Sequence, residues 1–226
     1  MTASPQPPAL RHFALYVFDL DGTLVDSRRD LADSANELLA ECGASPLTEE
    51  HVGRLVGDGA ATLVARAFAA SGVPQPADAL GRFLSIYDRR LLDHTRPYRG
   101  MPETLDALGR RARLAVLTNK PIGSTRRILD ALDLARRFDR SAVLGGDGPL
   151  PRKPDPTGLR HLAAAAGTPL SATLLVGDSS VDLRTARAAG SAICLARYGF
   201  GFESVDAREL TSDARTIDSP HELLAL

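Results

Sequence analysis

Two aspartates one residue apart, Asp19 and Asp21, close the apolar run at residues 13–18 and are followed by Gly22 and Thr23. The run is short, partly β-branched and aromatic, and apolar at every position, as expected of a strand buried on both faces of a parallel sheet. Ligands of open α/β sheets bind beyond the carboxyl ends of the strands, where these aspartates would stand. On extended backbone residues 19 and 21 project to the same side, so their carboxylates repel unless a cation or a proton is shared. A metal-bound Asp19 could then serve as nucleophile and Asp21 as general acid and base, with Gly22 permitting a sharp turn and offering its amide to an anion. The same DLDG run also fits a plain strand-to-turn exit.

Three later stretches carry polar residues of related use. Thr118-Asn119 follows a strand at residues 114–117 and could donate to a phosphoryl oxygen, or simply cap the helix after Pro121. Lys153 stands among prolines in the segment 151–156, a confined cation or part of a linker. Gly177-Asp178-Ser179-Ser180 follows a strand at residues 173–176, with Asp182 one helical turn beyond Asp178. Capping would explain it, but a further carboxylate at a strand end also suits a divalent cation shared with Asp19. Of the 27 basic residues only Lys120 and Lys153 are lysine, the rest arginine. An ammonium is a compact charge suited to a confined anion site, which draws attention to both.

The elements that must position these residues alternate. Leu31, Ala35, Leu38, Leu39 and Cys42 mark an amphipathic helix ending at Gly43, and helices are expected near 51–56, 60–70 and 77–93. No strand pattern interrupts residues 28–95, so 27–96 reads as a small helical cap inserted into a core made of 1–26 and 97–226. From Pro97 onward helices at 102–110, 122–134, 157–166 and 181–189 alternate with strands at 114–117, 141–144, 173–176, 191–195 and 216–217. That rhythm means βαβ units and a parallel sheet, an α/β core.

With 44% hydrophobic and 24% charged residues, the chain suits a soluble globular protein, and its formal charge is −1. It gives no reason to expect nucleic acid or a membrane as partner. Cys42 and Cys194 are far apart and lack metal-ligand spacing, which favours free thiols in a cytoplasmic location. The stretch 2–9 reads as a short disordered tail rather than a targeting peptide. His12, His51, His94, His161 and His221 show no paired spacing, and the arginines at 126, 127, 136, 137 and 140 read as a solvated face.

Together, in this order, the motifs DLDGTLVD, Thr118-Asn119, Lys153 in RKPDP and GDSSVD resemble those of the haloacid dehalogenase (HAD) superfamily, over nearly the whole chain. RLVGDGAATLVARAF and AGSAICLARYGFG look most like phosphoglycolate phosphatases. The resemblance implies a Rossmann-like core under a helical cap and a Mg2+-dependent phosphomonoester hydrolase, with 2-phosphoglycolate the first-choice substrate. It further implies Asp19 as nucleophile, Asp21 as acid and base, and Mg2+ on Asp19, the Asp21 carbonyl and Asp178. Gly22, Thr118, Asn119 and Lys153 would bind the phosphate, with Asp182 orienting either Lys153 or the metal's waters. The family motif does not require Lys120, for which a surface role is expected. Gly57-Asp58-Gly59 could receive the non-phosphate end of the substrate, or be a hinge. A phosphoglucomutase-like isomerase and a dehalogenase are the alternatives, and the protein is expected to be a monomer or homodimer.

Overall fold

The computed structural model describes residues 13–226. The expected N-terminal tail and His12 lie outside them. Six strands form one parallel sheet in the order β5-β4-β1-β6-β7-β8: β1 (Leu15–Phe18), β4 (Arg113–Leu117), β5 (Val143–Leu144), β6 (Thr173–Gly177), β7 (Ala192–Ala196) and β8 (Ala214–Ile217). β1 is central, with Phe18 aligned on Val116 of β4 and on Val176 of β6. The chain builds outward first on the β4 side and then on the β6 side, so a switch point opens beside β1.

Alternation along the strands divides the interior in two. Leu15 and Val17 pack with α7 (Thr157–Ala165) and α8 (Ser180–Ala189), through Leu159, Leu162, Leu183 and Ala186. Tyr16 and Phe18 face the other way, toward α5 (Met101–Leu108) and α6 (Ile122–Ala131). Apolarity on both faces of β1 thus reflects helices on both faces of the sheet.

Four helices lie between β1 and α5 in the chain: α1 (Arg28–Glu41), α2 (Glu49–Leu55), α3 (Ala60–Ser71) and α4 (Ala79–Arg90). Their apolar stripes, among them Leu31, Leu38, Val52, Leu63, Phe83 and Ile86, join the same core as Tyr16 and Phe18. A two-stranded antiparallel ribbon, β2 (Val25–Asp26) with β3 (Arg96–Pro97), brackets the helices. The buried carboxylate of Asp30 closes the bracket, accepting from the amides of His94 and Thr95 and, at 2.6 Å, from the Thr95 hydroxyl.

Two local departures have simple causes. Helix α6, expected to reach residue 134, stops at Ala131 because Asp133 adopts φ +54° and turns the fully buried Leu134 back into the core. The ribbon strands are two residues each, too short to show a period in sequence.

Candidate active site

Asp19 follows β1, Thr118 to Lys120 follow β4, Lys153 lies in the loop after β5, and Asp178 follows β6. All therefore stand at the carboxyl edge of the sheet. The Lys153 ammonium lies 2.9 Å from Asp19 and 2.6 Å from Asp182. Burial opposes its charge, but the carboxylates of Asp182 and Asp19 outweigh that and hold its pKa above the usual lysine value. Asp182 uses its second oxygen on Ser179, whose amide and hydroxyl both donate to it, while the Ser179 hydroxyl caps α8. The cap of α8 and the ion pair with Lys153 thus share one side chain, that of Asp182.

Burial pushes the Asp19 carboxyl up to about 6; the Lys153 charge offsets part of this and Asp182 adds to it. Repulsion from Asp21, prominent in the sequence argument, is a minor contribution. Each aspartate faces its own lysine: Lys153 lies on Asp19, and Lys120 donates to both carboxylate oxygens of Asp21, at 2.9 and 2.8 Å. Asp178 is raised well above the ordinary carboxylate range by burial and then by the Asp182 and Asp19 charges.

Asp19, Asp178 and Asp182 bring carboxylate oxygens within 4.8 Å of one another, all buried. The Lys153 ammonium pairs with two of the three, Asp19 and Asp182. A buried, all-oxygen, electron-rich donor set of this kind fits a hard divalent cation.

Several expected residues sit differently from the sequence reading. The Gly22 amide does not face an anion but donates to the Val25 carbonyl at 2.9 Å. The glycine is needed for φ +79° and because a Cβ there would lie 1.8 Å from Asp178 Oδ2. The Asn119 side-chain amide is likewise spent, donating to the carbonyls of Gly57 and Lys153 at 2.9 Å each, so it ties the helical insertion to the Lys153 loop rather than meeting a phosphoryl oxygen. Thr118 accepts the Lys120 amide at 3.2 Å, which leaves its hydroxyl proton for another acceptor. Gly57 and Gly59 line the cavity above Asp19, whereas the Asp58 carboxylate is turned to Arg66 at 2.7 Å. The surface role expected of Lys120 is wrong. It is 7% exposed and its ammonium lies 4.6 Å from the centroid of the Tyr87 ring on α4.

Other residues at the site were not singled out from sequence. Ser27 donates to Asp21 Oδ1 at 2.5 Å, and the Gly201 amide donates to Asp178 Oδ2 at 2.8 Å. Gly199 approaches so closely that a Cβ would lie 2.2 Å from the Gly22 carbonyl oxygen. The paired glycines of the YGFG stretch were the available signal for that contact.

The family model for haloacid dehalogenase-like hydrolases matches residues 16–196. The chain is 44% identical over 198 residues to a phosphoglycolate phosphatase of Rhodospirillum rubrum, covering 84% of this chain and 81% of that one. It is 38% identical over 218 residues to a phosphoglycolate phosphatase of Pseudomonas syringae pv. tomato, covering 93% and 78%. Among solved structures, one described as a predicted phosphoglycolate phosphatase from Haemophilus somnus superposes with a TM-score of 0.85 at 32% identity, covering 94% of this chain and 96% of that one. By a match that includes all four strand-end loops, the chain belongs to the haloacid dehalogenase-like hydrolases.

Proposed function

We propose that the protein is a Mg2+-dependent phosphomonoesterase acting on a small phosphorylated metabolite, with 2-phosphoglycolate the foremost candidate. The observation that carries this reading is the buried contact of Asp19 with Lys153 at 2.9 Å, with Asp178 in the same carboxylate cluster. The names of its relatives support the choice of substrate.

In this mechanism a carboxylate oxygen of Asp19 attacks phosphorus, forming an aspartyl-phosphate as the bond to the ester oxygen breaks. Asp21 gives its proton to the departing alkoxide. It then takes a proton from the water that attacks the aspartyl-phosphate, which returns Asp19 as a carboxylate and releases phosphate. Lys153 and the Thr118 hydroxyl bind equatorial phosphoryl oxygens, where positioning and charge stabilisation supply most of the rate in phosphoryl transfer. Asp19, Asp178 and the Asp21 carbonyl would hold Mg2+, which offsets the negative charge between nucleophile and phosphate. Residues 27–96 act as the cap that keeps bulk water from the aspartyl-phosphate, with Asn119 and Gly57 joining it to the core.

The test is phosphate release from a panel of small phosphate esters and sugar phosphates, with Mg2+ and with EDTA. Metal-dependent release, highest for 2-phosphoglycolate and lost in Asp19→Asn with the circular dichroism spectrum unchanged, is the expected result. Substantial turnover by Asp19→Asn would mean another residue is the nucleophile.

A further inference from the structure

The mechanism leaves Lys120 without a task, although the fold buries it against Asp21, 99 positions away in the chain. Among the described residues it is the sole cation lining the cavity above Asp19 and Asp21, since Lys153 lies deeper between Asp19 and Asp182. Against it packs Tyr87, 4% exposed, whose hydroxyl proton has no acceptor. Burial pushes that phenol up to about 12, so it remains a donor at neutral pH. A buried hydroxyl proton left without an acceptor is costly, and a ligand acceptor would remove that cost. Val56, Leu63, Phe83 and Leu84 make much of the remaining wall, and none of them can neutralise an anion.

Position narrows what the pair would bind. In the proposed mechanism Asp21 meets the ester oxygen that leaves, and the Lys120 ammonium is one hydrogen bond from Asp21. An acceptor that took this ammonium would lie within about 3–6 Å of the leaving oxygen, the span of two hydrogen bonds. A carboxylate one carbon removed from that oxygen has this reach.

We propose that Lys120 and Tyr87 form the subsite for a carboxylate on the leaving-group side of the substrate, and that this carboxylate replaces Asp21 as the partner of Lys120. The exchange frees the Asp21 side chain to turn to the leaving oxygen. This rests on the phosphomonoesterase reading and adds to it a residue pair that selects the substrate. An uncharged ester of similar size engages the phosphate site but leaves Lys120 on Asp21, so the pair discriminates in both binding and turnover.

Calorimetry on the Asp19→Asn chain, in which turnover is blocked, tests the subsite directly. With Mg2+ present, 2-phosphoglycolate should bind about tenfold or more tighter than ethyl phosphate, and Lys120→Met should erase that preference. Tyr87→Phe, which keeps the ring and removes only the hydroxyl, should reduce it several-fold and provides the readout if Lys120→Met fails to fold. In chains that retain Asp19, Lys120→Met should lower kcat/KM for 2-phosphoglycolate about tenfold more than for ethyl phosphate, with Lys120→Arg recovering part of the difference. Equal losses on both esters, or a preference that survives the substitutions, would overturn the proposal and leave Lys120 as the counterion of Asp21 alone. So would failure of the Asp19→Asn chain to bind either ester. Binding that depends on Lys120 in a parent chain that releases no phosphate would instead overturn the hydrolase reading and leave the subsite standing.

Discussion

Lys153 and Asp182 are joined at 2.6 Å inside the core, the lysine side chain 2% exposed and the aspartate 0%. The same ammonium reaches Asp19 at 2.9 Å, so one cation balances two buried carboxylates. A buried charge stripped of its partner is costly even where the intact pair is worth little.

Lys153→Met is therefore expected to destabilise the metal-free protein by about 3–5 kcal/mol at neutral pH, beyond abolishing turnover. Adding Asp182→Asn should recover part of the loss, because the second change removes one of the stranded charges. Urea unfolding of the two single variants and the double variant measures the coupling. Strict additivity would show that the contact carries no interaction energy.

The Asp19 carboxyl provides a pH signature. Burial raises it from 3.8 to about 6, with Asp178 moved in the same direction. An acid whose folded pKa is raised contributes its stability in full below the unfolded value and loses it as pH rises through the folded one. In EDTA, the melting temperature of the parent should thus fall relative to that of Asp19→Asn between about pH 4 and pH 7. Mg2+ should narrow the gap by giving the ionised carboxylate a partner. A gap independent of pH would mean that Asp19 is ionised without penalty.

Two glycines separate backbone strain from steric conflict. Gly22 and Gly43 have similar left-handed backbones, φ +79° and +74°, but a Cβ on Gly43 meets nothing within 4 Å whereas one on Gly22 would lie 1.8 Å from Asp178 Oδ2. Gly43→Ala should cost about 1–2 kcal/mol, the conformational penalty alone. Gly22→Ala should cost more and remove the stabilisation by Mg2+, since Asp178 must move. Thermal shifts on adding Mg2+ to each variant make the comparison. Equal behaviour of the two would show that the turn at Gly22 yields freely.

The site was legible from sequence to the extent that its parts are contiguous. DLDG, Thr118-Asn119, the Lys153 loop and GDSS each end a strand, and an apolar run closed by polar residues marks a strand end without any knowledge of its neighbours. The strand and helix rhythm then implied a parallel sheet, which places all such ends along one edge. The helices of residues 28–95 were readable for the same reason, since their period repeats over several turns.

Which atom meets which was not readable, because hydrogen-bond partners are chosen across the fold. The Gly22 amide went to Val25, the Asn119 amide went to Gly57 and Lys153, and Lys120 went inward to Asp21 and Tyr87. Composition had marked Lys120 as unusual, but a lone lysine carries no local pattern that tells interior from surface. The chain's order of residues settled what kinds of group reach the sheet edge, through periodicity and strand ends that act over a few residues. Their pairing, burial and shifted acidities came from the approach of residues far apart in the chain, such as Asp19 and Asp182, 163 positions apart, which exists only once the sheet has closed.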